Sequence, residues 1–168
     1  LDLLAEVRRL AEQNRFDYLL IESTGVSEPL PVAATFDFRD ENGQSLGDIA
    51  QLDTMVTVVD AARMIADYSS TDMLTDRGES LGDADNRSIV DLLVDQIEFA
   101  DVIVRNKLDL ISDVERKSVL AIIKALNTDA EVIETSNSVV APNQILNTGR
   151  FDFERAQNHP LWAKELYG

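Results

Sequence analysis

Apolar residues gather into three short unbroken runs, Tyr18-Leu19-Leu20-Ile21, Met55-Val56-Thr57-Val58-Val59 and Val102-Ile103-Val104. Unbroken runs of this length are the pattern of strands covered on both faces of a parallel sheet. A fourth segment, Glu131-Val132-Ile133-Glu134-Thr135, alternates and predicts an edge strand. Between the runs the spacing turns helical. Leu3, Leu4, Val7 and Leu10 share one face, and Ile89, Leu92, Leu93, Gln96 and Ile97 share another. Ser112-Asp113-Val114-Glu115 is a capping-box start, followed by Val119, Ile122, Ile123 and Leu126 at helical intervals. Strands alternating with helices predict a doubly wound α/β fold around a mainly parallel sheet.

Two polar stretches interrupt this scheme, Asp37 to Asp53 and Ser69 to Asn86, and both are expected to be solvated surface insertions. The second is not a calcium loop: counted from Asp83, the sixth and twelfth places hold Ser88 and Val94 where Gly and Glu are required. Beyond Gly149 the pattern dissolves, and residues 151–168 read as a departing linker with a short helix ending at Tyr167.

The 168 residues carry 15 Lys+Arg against 31 Asp+Glu, a formal charge of −16. A phosphate backbone needs a basic footprint, and the longest basic clusters are the pairs Arg8-Arg9 and Arg116-Lys117, so nucleic acid is not an expected partner. At 45% hydrophobic residues the chain can build a core, which excludes global disorder. It contains no cysteine, so its own residues offer neither thiol catalysis nor a thiolate metal site. No run approaches the ~20 apolar residues of a membrane span. The opening Leu1-Asp2-Leu3-Leu4 lacks the basic start of a signal peptide, so a cytoplasmic, membrane-free protein is the expectation. Starting without Met, directly on a helical pattern, the chain reads as trimmed at its N-terminus.

Ligands of an open α/β sheet bind beyond the carboxyl ends of its strands. The sharpest signal there is Asn106-Lys107-Leu108-Asp109, straight after the third run. A carboxylate at Asp109 can accept from both N1–H and the exocyclic amine of guanine; Asn106 can serve the base edge or a neighbouring loop; the Lys107 stem can lie over the ring. The plainer alternative is a turn and helix cap. Glu22-Ser23-Thr24-Gly25 ends the first run, where Glu22 can hold magnesium through water and the Gly25 amide can approach a terminal phosphate. A hydrolase reading of Gly25-Val26-Ser27, with Asp109 and His159 completing a triad, fails because Pro29 stands where the nucleophile elbow needs glycine. His159 itself reads as an exposed linker residue.

The run from Phe16 through Glu22-Ser23-Thr24-Gly25-Val26-Ser27-Glu28-Pro29, then Val58-Val59-Asp60-Ala61, then Asp95-Gln96-Ile97-Glu98-Phe99-Ala100-Asp101 leading into Asn106-Lys107-Leu108-Asp109, resembles the CobW-type metallochaperone GTPases, relatives of the urease and hydrogenase nickel-insertion GTPases. The resemblance implies a P-loop NTPase-like fold. It places Glu22 and Gly25 on the magnesium and switch motif, Asn106, Lys107 and Asp109 on the guanine-specificity motif, and Ser136-Asn137 on the loop that closes over the base. The family's Walker-A loop, G-x-x-x-x-G-K-[ST], and its Cys-x-Cys-Cys metal motif do not occur in this chain. Residues 1–150 are therefore expected to be the latter part of a GTPase domain, with 151–168 leading toward a further domain. GTP and magnesium would be the cofactors of the full-length protein, zinc or cobalt its cargo, and a metal-receiving protein its partner. Such a chain alone would not hydrolyse GTP, and the exposed edges of its shortened sheet would invite a homodimer. The competing expectation is a noncatalytic α/β interaction domain that has lost nucleotide hydrolysis.

Overall fold

Three of the four expected strands form, and all three run parallel. In the computed structural model, which describes residues 3–25, 27–37, 39, 41–68 and 89–158, β1 spans Val56–Asp60, β2 Val102–Asn106 and β3 Glu131–Glu134. They lie in the order β1-β2-β3. Val56 pairs with Val102 and Asp60 with Asn106 on one side of β2, while Val102 pairs with Glu131 on the other. Helices α3, Ala61–Tyr68, and α4, Ile89–Glu98, connect β1 to β2, and α5, Asp113–Leu126, connects β2 to β3. Parallel neighbours require such crossovers.

Alternation along β2 divides the packing between the two sheet faces. Ile103 is fully buried in a cluster with Val59, Met64, Ile97, Val119 and Ile123, the apolar stripes of β1, α3, α4 and α5. Val102 and Val104 pack on the opposite face with Ile133, covered by Val140 and Ile145. That cover ends at β2, because Val58, paired with Val104, is 63% exposed. Helix α5 starts as its sequence dictates: the Ser112 hydroxyl accepts from the Glu115 amide, and the Glu115 carboxylate accepts from the Ser112 amide at 2.8 Å. At its other end, Asn127 donates from Nδ2 to the carbonyls of Ile97, Glu98 and Ala100, and its Oδ1 accepts from the amides of Asp129 and Ala130. One buried side chain thus satisfies backbone groups of two segments, the end of α4 and the approach to β3. The carboxylate of Asp53 fastens the segment after β3, accepting from the amides of Thr148 and Gly149.

These elements form one compact unit, residues 26–28 and 53–151; the remaining residues form a second. In the second unit, α1, Leu3–Glu12, and α2, Pro29–Asp37, contribute Val7 and Phe36 to a small core closed by Leu46. The Asp37–Asp53 stretch is therefore not wholly solvated: Ser45 and Leu46 are buried, and a Cβ on Gly47 would stand 2.8 Å from the Phe36 carbonyl oxygen. Only a residue without a side chain permits that approach. A further short helix, α6, Phe153–Gln157, falls inside the segment expected to be a linker.

The run Tyr18–Ile21 forms no strand; residues 18–24 are irregular, and Leu20 is 71% exposed. A strand exists by pairing with a neighbour, and no described segment lies alongside this run as a ladder partner. The Ser69–Asn86 insertion and the stretch from His159 to Tyr167 lie outside the described residues.

Candidate functional site

The carboxyl ends of β1, β2 and β3 bring the site residues together. Asn106 ends β2, and the chain then turns through Lys107, which adopts a left-handed conformation at φ 62°, into a single 3-10 turn of Leu108–Leu110. Leu108 points into the core, 5% exposed, which leaves Asp109 on the outer side of the turn. The Asp109 carboxylate is exposed and, among the described residues, has no hydrogen-bond or ion-pair partner. Its neighbours in the motif are committed. Asn106 donates from Nδ2 to the Ser138 hydroxyl at 2.7 Å and accepts from the Ser138 amide at 2.9 Å. Lys107 Nζ donates to Asp60 Oδ2 at 2.5 Å.

Asp60 serves two elements at once. As the residue before α3 it accepts from the amides of Ala62 and Arg63 at 3.0 and 3.2 Å, an N-cap, while its second oxygen takes Lys107. Partial burial works to raise its pKa, but the Lys107 ammonium and the two amides outweigh it, so the carboxyl sits below its ordinary range.

Ser136 and Asn137 follow β3 in the adjoining loop, whose return is shaped by left-handed Asn137 and Ser138 at φ 56° and 55°. Thr135 Oγ1 donates across it to the Val139 carbonyl at 2.8 Å. The loop is thus joined to the Asn-Lys-x-Asp turn, through Ser138 rather than through Ser136 or Asn137 themselves. Nothing in the spacing singled out Ser138, since a serine one place further along a polar loop carries no signal of its own.

Sequence reasoning also passed over Arg105. It occupies β2 with only 2% of its surface exposed, pairing with the Glu134 carboxylate on β3 and donating from Nη1 to the Arg116 carbonyl at 2.7 Å. An arginine inside a run of valines and isoleucine looks like the end of the strand; only pairing with Glu134 across the ladder makes its burial tolerable.

Glu22 and Gly25 fall in the other unit, both exposed, and a Cβ at Gly25 would meet nothing within 4 Å among the described residues. Ser27 contributes its carbonyl to Gln96 Nε2 at 3.0 Å. His159 lies outside the described residues. No three acidic or histidine side chains among those described converge to hold a metal ion. Nor is any described helix long and apolar enough to cross a membrane.

A parallel sheet with Asn-Lys-x-Asp at its carboxyl edge, tied by the asparagine to the next loop, is the arrangement of a nucleotide-binding α/β domain. The sequence model of the CobW/HypB/UreG nucleotide-binding domain matches residues 1–134, and the chain belongs to that family. It is 51% identical over 168 residues to the zinc-regulated GTPase metalloprotein activator 1 of Dictyostelium discoideum, covering 99% of this chain and 35% of that protein. It is 32% identical to the zinc chaperone CobW of a Sinorhizobium species, over 88% of this chain and 42% of the relative. A Schizosaccharomyces pombe zinc-regulated GTPase metalloprotein activator 1 is likewise 32% identical, over 76% of this chain and 26% of the relative. The chain therefore spans less than half the length of these relatives. No solved structure matches it.

Proposed function

We propose that this chain is the guanine-recognition portion of a GTP-hydrolysing metallochaperone that handles zinc or cobalt. The observation that carries the reading is the exposed carboxylate of Asp109, unpartnered among the described residues, on a turn whose other two polar residues are already held by Ser138 and Asp60. The donor and acceptor set fits guanine. Asp109 can accept the two hydrogens of the N1 and exocyclic-amine edge, and adenine presents no such pair. The Lys107 stem, oriented by Asp60, can cover one ring face, and Asn106, bonded to Ser138, can steady the Ser136–Ser138 loop near the base.

Glu22 carries the magnesium role that the family resemblance implies for it, since an exposed carboxylate can hold that ion through water. Bound magnesium would neutralise charge on the phosphates. Gly25, without a side chain, can bring its amide toward a terminal phosphate. The residues present do not fit a transition-metal site: the sequence has no cysteine and one histidine. The cargo metal and the metal-receiving partner accordingly belong to the longer protein suggested by the relatives' lengths. The same reading assigns residues 1–150 to a GTPase domain and the following residues to a connection, with a cytoplasmic location and a homodimer as subsidiary proposals.

The test uses the full-length protein containing these residues. In Asp109→Asn the new amide mismatches guanine but can donate to the 2-oxo group of xanthine. Discrimination built on buried hydrogen bonds reaches as much as ~10⁴-fold. GTP use should fall and XTP use rise in the same variant, measured by competition among GTP, XTP and ATP. An unchanged preference would favour a noncatalytic interaction domain.

A further inference from the structure

A turn of three residues does little to fix its own pose. Within Leu108–Leu110 the backbone bonds are Leu110 N–H to the Lys107 carbonyl at 3.1 Å and Ile111 N–H to the Leu108 carbonyl at 3.5 Å, the second at the outer limit of a hydrogen bond. The Leu108 amide reaches the Thr135 carbonyl at a similarly long 3.4 Å. A carboxylate that must meet two hydrogens of a base needs tighter positioning than these provide. The short, charge-assisted bond at this turn comes from outside it: Arg116 Nη2, on the first turn of α5, donates to the Leu108 carbonyl at 2.8 Å.

Arg116 is itself anchored. Its amide donates to the Ser112 carbonyl at 2.9 Å, and its own carbonyl accepts from the buried Arg105 guanidinium, which in turn holds Glu134 at the end of β3. A continuous polar chain therefore runs from Glu134 through Arg105 and Arg116 to the carbonyl of the residue before Asp109.

We propose that Arg116 is a positioning residue for nucleotide specificity, setting the height and tilt of the Asp109 turn through the Leu108 carbonyl, with Arg105 as its support. The assignment rests on the guanine reading above and deepens it.

The experiment measures KM and kcat for GTP and ITP with the full-length protein, as wild type, Asp109→Asn, Arg116→Met and Arg116→Lys. ITP keeps the N1 hydrogen but lacks the exocyclic amine, so the ratio of the two KM values reports the second Asp109 hydrogen bond, worth about tenfold for a charged acceptor. Arg116→Met preserves the apolar stem while removing the donors. Its KM for GTP should rise, its kcat should stay near wild type, and the ITP-to-GTP ratio should collapse toward one. Arg116→Lys, which restores one donor, should recover much of the ratio. A purely structural role would lower the active fraction, and with it kcat, without moving the ratio. If wild type prefers GTP and Asp109→Asn abolishes that preference while Arg116→Met leaves it unchanged, the Arg116 assignment is overturned alone. If wild type shows no preference between GTP and ITP, both it and the guanine reading fall.

Discussion

Asp60 and Lys107 bridge the carboxyl ends of two neighbouring parallel strands, Nζ to Oδ2 at 2.5 Å, while the other oxygen of Asp60 caps α3. Lys107 is 47% and Asp60 29% exposed, so the ion pair as such adds little stability. Its worth lies in orientation, because it holds the lysine stem beside the turn that carries Asp109.

Asp60→Ala should lower stability by about 1 kcal/mol through loss of the cap, whereas Asp60→Asn, which retains a cap acceptor, should lose less. The folded-state pKa of Asp60 is depressed, so its contribution is present above the ordinary carboxylate value and lost as pH falls through the lower folded value. Urea unfolding from neutral pH into the acid range should show a shallower acid decline in Asp60→Asn than in wild type. Parallel acid limbs would remove Asp60 from the pH dependence.

The Asn106–Ser138 pair predicts an ordering of variants. Ser138→Ala removes one acceptor but leaves the backbone amide bonded to Asn106, while Asn106→Ala removes both bonds. At about 1 kcal/mol for a typical hydrogen bond, Asn106→Ala should cost roughly twice as much as Ser138→Ala in chemical denaturation. It should also loosen the Ser136–Ser138 loop, visible as faster proteolysis there. Equal losses would mean that the Ser138 amide contributes nothing.

Tyr68 supplies an alkaline marker. Its Oη is buried with no partner among the described residues, and burial together with the nearby Glu98 charge raises the phenol to about 12. A raised folded value leaves stability intact below the ordinary tyrosine value near 10 and erodes it as pH climbs from there toward 12. Tyr68→Phe deletes an unsatisfied hydroxyl, so it should be neutral or mildly stabilising at pH 7 and should flatten the alkaline decline. Near-ultraviolet absorbance against pH, compared between wild type and variant, identifies the late-titrating phenol. A marked loss of stability at neutral pH would show that Oη has a partner after all.

The strands β1, β2 and β3 and the start of α5 were legible because their signals are local: unbroken β-branched runs, one alternating segment and a capping box. So was the placement of Asn106, Lys107 and Asp109 at a strand's carboxyl end. Tyr18–Ile21 misled for the opposite reason, since apolarity marks a candidate for burial, whereas a strand needs a neighbour to complete its hydrogen bonds. Ser45 and Leu46 were hidden in a polar stretch because one buried leucine among polar residues has no period. Arg105, Arg116 and Ser138 act through partners roughly 10 to 30 positions away, contacts that only the fold creates. Helix α3 has no signal of its own in the sequence, because Asp60, which caps its start, is also the last residue of a strand.

Asn127 has a consequence for how this unit comes apart. By holding three carbonyls at and just beyond the end of α4 and two amides ahead of β3, one side chain makes the release of either segment conditional on the other. The end of α4, the end of α5 and the entry to β3 then share a single opening event and a common hydrogen-exchange free energy, instead of fraying one by one. Mechanically, the end of the sheet remote from the Asn106–Asp109 turn is a knot, and opening there cannot proceed one segment at a time.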